Sequence, residues 1–332
     1  MKIVTDNANL SNQATAGKVY NPGIEFNLQY IDDIRVNLSA IQRRAATITA
    51  RRSLKKNWQA AWLIKAVSCI DLTTLSGQDT PGKVRRLCAK ARTPISRELQ
   101  HQLGIEELNI TTGAVCVYHE MVETAVQALK GTNIPVAAVS TGFPAGLSSF
   151  STRIQEVKNS VAAGAKEIDI VITRGHVLNA HWSALFDEIS TFRKACGDAH
   201  MKTIIATGEL STLNNVARAS MVAMMAGSDF IKTSTGMEST NATLSVALVM
   251  ARMIRHYHSL TGYRVGFKPA GGISTAKDAI SYLILMKEEL GESWLNPDMF
   301  RFGASSLLAD IERQLEHHAT GRYSAFNRHP IS

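Results

Sequence analysis

The chain of 332 residues is poor in several things that would direct its reading. Its four cysteines (Cys69, Cys88, Cys116, Cys196) are scattered and form no CxxC pair, which argues against a disulfide framework or a zinc-thiolate centre. Ten histidines yield no HExxH and no ligand-like cluster, so no metal is expected. The longest apolar runs, 221–226 and 246–251, fall far short of the roughly 20 residues a membrane span needs. The N-terminus is polar and carries no apolar stretch or cleavage pattern, so no signal peptide is expected and a cytoplasmic location is the simplest reading. Acidic residues are missing from 34–70, where Arg35, Arg43, Arg44, Arg51, Arg52, Lys55, Lys56 and Lys65 stand. That segment equals the net charge of +8, so the rest of the chain is balanced. A nucleic-acid patch is one reading; a solvated helix face is favoured, and no nucleic-acid partner is expected.

What is present is a regular α/β rhythm. At 45% hydrophobic and 19% charged residues, the chain can bury a sizeable core, which excludes disorder as its main class. Residues 1–30 are rich in Asn, Gln, Ser and Thr and read as a mobile N-terminal arm. Over 31–65, apolar residues recur at three- and four-residue spacing, predicting a helical extension of two helices. Eight short apolar runs follow: AVSCIDL (66–72), AVCVY (114–118), VAAVST (136–141), EIDIVI (167–172), KTIIAT (202–207), FIKTS (230–234), VGFKPA (265–270) and FRFGAS (300–305). Helical patterns lie between them. Strands alternating with helices predict parallel strands and crossover helices, and eight units over about 250 residues are the arithmetic of a (β/α)8 TIM barrel. A doubly wound open sheet is the rival, but no GxGxxG follows the first run, DLTTLSG. The barrel is expected over 66–323, with a loose tail over 324–332.

Barrel chemistry sits at the C-terminal ends of the strands. Three polar residues interrupt otherwise apolar runs there: Lys232 in DFIKTSTG, Lys268 in GFKPAGG and Asp169 in EIDIVI. A lone lysine near a strand end usually snorkels its head into water. Two late in adjacent strands, with an acid on a third, point into one mouth. Imine chemistry needs a neutral amine, and a second ammonium with partial desolvation favours one. The glycines add a second signal. Gly271 and Gly272 follow the seventh run, and Gly303 ends the eighth ahead of Ser305 and Ser306. The loops after strands seven and eight commonly hold phosphate in such barrels. Taken alone, the glycines could equally make tight turns.

With these motifs in order, the chain resembles the 2-deoxy-D-ribose 5-phosphate aldolase family, the class I deoxyriboaldolases, in its longer animal-type form. The carrying motifs are DLTTLSG (71–77), AVCVY (114–118), GFPAG (142–146), EIDIVI (167–172), ATGEL (206–210), DFIKTSTG (229–236), GFKPAGGI (266–273) and RFGASSLL (301–308). The resemblance implies reversible cleavage of 2-deoxy-D-ribose 5-phosphate to D-glyceraldehyde 3-phosphate and acetaldehyde. It assigns Lys232 as the Schiff-base nucleophile, Lys268 as the lysine that depresses its pKa and shares in proton relay, and Asp169 as the relay acid. Asp71, Thr73, Cys116 and Thr207 are carried over as substrate-binding residues. Gly236, Gly271, Gly272, Gly303, Ser305 and Ser306 are carried over to the phosphate. No cofactor is implied, and the partners are small aldehydes and sugar phosphates, with a homodimer as the expected assembly.

Three positions depart from the family pattern. Met237 stands where the family commonly has Lys after KTSTG, Ser274 where it has Arg in the GGxR turn, and His119 where it has Pro after CVY. The first two belong to the phosphate end, so a relaxed phosphate dependence is expected. The alternatives are another lysine-dependent barrel aldolase and a non-catalytic phosphate-binding barrel.

Overall fold

In the computed structural model, residues 20–51, 53–325 and 327–329 are described. All eight apolar runs form strands: β1 (Ile70–Thr73), β2 (Ala114–Tyr118), β3 (Val136–Ser140), β4 (Glu167–Val171), β5 (His200–Ile204), β6 (Phe230–Lys232), β7 (Gly266–Lys268) and β8 (Phe302–Ala304). The fifth, 202–207, runs past β5 into the turn at Thr207, and the first begins too early. Residues 66–68 finish a helix, because its apolar stripe runs without a break into the strand.

The strands pair in parallel in the order β7-β6-β5-β4-β3-β2-β1-β8. Bridges from Phe267 to Phe300 and from Ala270 to Gly303 bring β7 to β8 and close the barrel. Closure depends on glycine at 303, since a Cβ there would lie 2.8 Å from the Ala270 Cβ.

Period-two alternation sorts the strand residues into two cores. Val115, Val117, Ile168, Ile170, Met201 and Ile231 face outward into the large cluster beneath the surrounding helices. Cys116, Ala137, Val139, Val171 and Ile204 face inward and make a small separate cluster with Phe143. The remaining inward positions include Asp71, Glu167, Asp169, Lys202, Lys232 and Lys268, and these build the site below.

Four helices precede or follow β1: α1 (Gln29–Asp32), α2 (Leu38–Arg51), α3 (Lys56–Ser68) and α4 (Pro81–Arg92). The helical extension expected over 31–65 is therefore present. Helix α2 buries Ile41, Ala45 and Ile48. Its Arg44 pairs with Glu288 and Glu289 of the helix Ala276–Leu290, at 2.5 and 3.5 Å. Lys65 donates to the Leu295 carbonyl at 2.9 Å. Part of the basic segment thus packs against the barrel.

The arm expected over 1–30 is docked from Tyr20 onward; residues 1–19 lie outside the described residues. Asn21 explains the difference. Its amide donates to the carbonyls of Met224 and Ser228 at 2.8 and 2.9 Å, and its backbone N–H donates to Asp229 at 2.8 Å. A polar composition reads as an arm, yet here the polar groups satisfy a helix end and the start of β6. The tail expected to be loose after residue 323 is likewise tied down, by His329 to Glu316 at 2.7 Å and Arg328 to Glu316 at 2.7 Å. Tyr323 stacks on His317 with ring centroids 4.3 Å apart. No helix among the described residues is long and apolar enough to cross a membrane.

Candidate active site

Seven inward side chains from five strands and one strand entrance meet inside the barrel: Asp71, Glu167, Asp169, Lys202, Lys232, Lys268 and Arg301. All are buried. Asp169 is the hub. Its Oδ2 accepts from Lys232 Nζ and from Lys268 Nζ, each at 2.8 Å, and its Oδ1 accepts from Lys202 Nζ at 3.3 Å. The amines of Lys232 and Lys268 are therefore no more than about 5.6 Å apart, the sum of two 2.8 Å contacts on one oxygen. Lys268 also donates to Asp71. Arg301 forks between Asp71 and Glu167, reaching Glu167 Oε1 at 3.0 Å. Lys202 completes the network on Glu167.

The partners set the charge states. Burial would raise the Asp169 carboxyl, but Lys202, Lys232 and Lys268 outweigh it and hold the group well below its ordinary value. Asp71 is lowered too, against the same burial, by Lys268, Arg301 and Lys202. Burial would lower Lys268, yet Asp169 and Asp71 raise it, so it stays an ammonium. Lys202 is raised in the same way by Asp169, Glu167 and Asp71. Counted fully ionised, the network has four cations and three carboxylates. One amine can thus be neutral with charges still matched. Lys232 is the least held of the four, since Asp169 is its one ion-pair partner among the described residues. It also reaches open space.

That space is a cavity of about 400 Å³, formed by the loops after β1, β6, β7 and β8. Lys232 lies in its wall together with Thr73, Gly236, Gly271, Gly303 and Ser305. Thr73 donates its hydroxyl to the Asp71 carbonyl at 2.6 Å, which fixes its rotamer. Lys268, Asp169, Asp71 and Cys116 lie fully buried and outside the cavity wall. Burial pushes the Cys116 thiol up, keeping it protonated. Gly272 and Ser306 do not line the cavity, and Thr207 lines a different one with Leu38 and Ser211. The Gly236 N–H, expected to face phosphate, donates to Glu238 Oε2 at 3.1 Å. The Thr235 N–H donates to the same carboxylate at 3.0 Å. The sequence reading missed Glu167, Lys202 and Arg301, although each is two residues from an inward position: Asp169, Ile204 and Gly303. Among the described residues no group of three or more His, Cys, Asp or Glu is placed to hold a metal ion.

The network makes stability depend on pH. Asp169 and Asp71 have lowered folded-state values, so the unfolded chain binds their protons first as pH falls. Their contribution is full above the ordinary carboxylate value of 3.8 and is lost as pH falls through the folded values. Lys268 and Lys202 are raised, so their contribution is full below the ordinary lysine value of 10.5 and is lost at higher pH. Urea unfolding followed by circular dichroism across pH should show a plateau between these limits with a fall on the acid side. Stability that rises on acidification through pH 4 would contradict the network.

A (β/α)8 barrel that seats an amine in the wall of an open cavity, with a second amine held charged on the same carboxylate, has the layout of the imine-forming barrel enzymes. Comparison with known proteins narrows the class. The chain belongs to the DeoC/LacD family of aldolases, whose model matches residues 65–313. It is 58% identical over 315 residues to a Homo sapiens protein named deoxyribose-phosphate aldolase, covering 94% of this chain and 99% of the human one. It is 59% identical over 312 residues to the Mus musculus protein of the same name, covering 93% of this chain and 98% of the mouse one. In fold it resembles the deoxyribose phosphate aldolase of Aeropyrum pernix, described as having a unique tetrameric structure. That match has a TM-score of 0.59 at 20% identity, over 84% of this chain and 99% of the other.

Proposed function

We propose that this chain cleaves 2-deoxy-D-ribose 5-phosphate reversibly to D-glyceraldehyde 3-phosphate and acetaldehyde through an imine on Lys232. The observation that carries the residue assignment is the sharing of one Asp169 oxygen by Lys232 and Lys268, with Lys232 alone of the pair open to the cavity. Identity of 58% across nearly the whole human aldolase supports the reaction.

The steps use the groups at hand. Neutral Lys232 adds to the C1 carbonyl of the open-chain sugar and loses water to give an iminium. The C3 hydroxyl gives its proton to the Asp169–Lys268 pair through a bound water, and the C2–C3 bond breaks. Its electrons pass into the iminium, leaving an enamine on Lys232 and free D-glyceraldehyde 3-phosphate. The same pair returns a proton to C2, and water then hydrolyses the iminium to acetaldehyde and the free amine. Lys268, held as an ammonium by Asp169 and Asp71, stands on the same Asp169 oxygen as the Lys232 amine.

The phosphate end is thinner than the family pattern. Met237 lines the cavity without a charge, and Gly236 has its N–H engaged by Glu238. Charged hydrogen bonds are each worth about 1.5–3 kcal/mol, so two missing cations weaken preference for the phosphate. The test is kcat/KM for 2-deoxyribose 5-phosphate against unphosphorylated 2-deoxyribose, in this chain and in Met237→Lys/Ser274→Arg. The double variant should widen the ratio by about tenfold or more. An unchanged ratio would refute the relaxed dependence, and cleavage of neither sugar by the native chain would refute the reaction.

A further inference from the structure

We propose that Lys83 is the cation that reads the substrate phosphate in this chain, and so sets its selectivity for phosphorylated over free sugars. The inference rests on the reading of the cavity as a sugar-phosphate site, and it names a residue that the sequence motifs did not bring forward.

Two cationic side chains line the cavity, Lys232 and Lys83. Lys232 is committed to the imine, and once it has reacted it has no free ammonium to offer an anion. Lys83 is therefore the cation left for the other end of the substrate. Its place follows from closure of the barrel. Strand β8 pairs with β1, with Asp71 opposite Gly303. The loop after β1 thus stands beside the loop that carries Gly303 and Ser305. Lys83 lies in the first turn of α4, where Pro81 opens the helix and the Thr80 hydroxyl accepts the Lys83 N–H at 3.3 Å. Its backbone is fixed by that cap.

The side chain is fixed as well. Asp79 Oδ1 lies 2.8 Å from the Lys83 ammonium, and the Asp79 side chain is only 4% exposed. The Asp79 carboxylate is held in turn by the Thr74 hydroxyl at 2.8 Å and the Ser76 N–H at 3.0 Å. Thr74 and Ser76 also line the cavity. Thr74 and Ser76 share the Asp79 charge, so the carboxylate is not fully spent on the lysine. An ammonium carries three donors; with one on Asp79, two remain for the cavity. A phosphate monoester brings close to two negative charges and several acceptor oxygens at neutral pH, which suits a positioned ammonium in a cavity that Ser305 also lines. The free sugar offers a neutral hydroxyl at the same end and gains far less from Lys83.

Affinity separates this assignment from the aldolase reading. On a Lys232→Met background no imine forms, and titration calorimetry reads binding of 2-deoxyribose 5-phosphate and of 2-deoxyribose directly. Adding Lys83→Met should weaken the phosphate's Kd by about 10- to 100-fold and flatten its salt dependence. Lys83→Arg, which keeps the charge at a tolerant helix position, should retain most of the affinity. With native Lys232, the ratio of kcat/KM between the two sugars should fall in step, chiefly through KM. A shift of less than twofold in both Kd and the ratio overturns the proposal. If the native chain turns over neither sugar, the aldolase reading fails, and calorimetry still decides the role of Lys83.

Discussion

Replacing Lys232 with methionine should lower kcat by about 10⁴-fold or more, because no other group can carry the imine. The same change should leave the fold intact. Methionine approximates the lysine stem in volume, and its loss of charge takes the buried network from four cations on three carboxylates to three on three. Asp169 keeps Lys202 and Lys268 as partners. A retro-aldol assay and a melting curve on one preparation check both halves. A residual rate above about one hundredth of native would move the nucleophile elsewhere.

The second large effect belongs to Asp169. Asp169→Asn removes the carboxylate on which three lysines converge, and leaves four cations facing two acids in a fully buried site. Breaking a buried pair by removing one partner costs about 3–5 kcal/mol. The proton relay is lost together with the charge, which should lower kcat by about 10²- to 10⁴-fold. Urea unfolding gives the first figure. The second is read well below the lowered melting temperature, where the variant is still folded. Activity near native in a folded Asp169→Asn protein would remove Asp169 from the chemistry.

Much of this was legible in the chain. Strand runs bounded by turn residues marked all eight barrel strands, and polar residues late in those runs marked Lys232, Lys268 and Asp169. What escaped depended on neighbours in space. Glu167, Lys202 and Arg301 each sit at an inward position by period two, but nothing local shows that β4, β5 and the entrance to β8 bring them within bonding distance. Asn21 belongs to a stretch with the composition of an arm, and only the carbonyls of Met224 and Ser228, some 200 residues on, give its amide a partner. Gly236 carries the right motif, yet Glu238 two residues later takes its N–H. Lys83 looks like an ordinary solvated lysine of a helix start until closure of β8 on β1 puts it in the cavity wall. The phosphate end is therefore where the motif and the geometry part most clearly.

The central claim is an imine on one particular amine among three buried lysines. The direct measurement is borohydride reduction in the presence of acetaldehyde, followed by peptide mass spectrometry. A stable ethyl adduct confined to Lys232, formed in step with loss of activity, is the expected result. An adduct on Lys202 or Lys268, or full loss of activity without any adduct, would contradict the account.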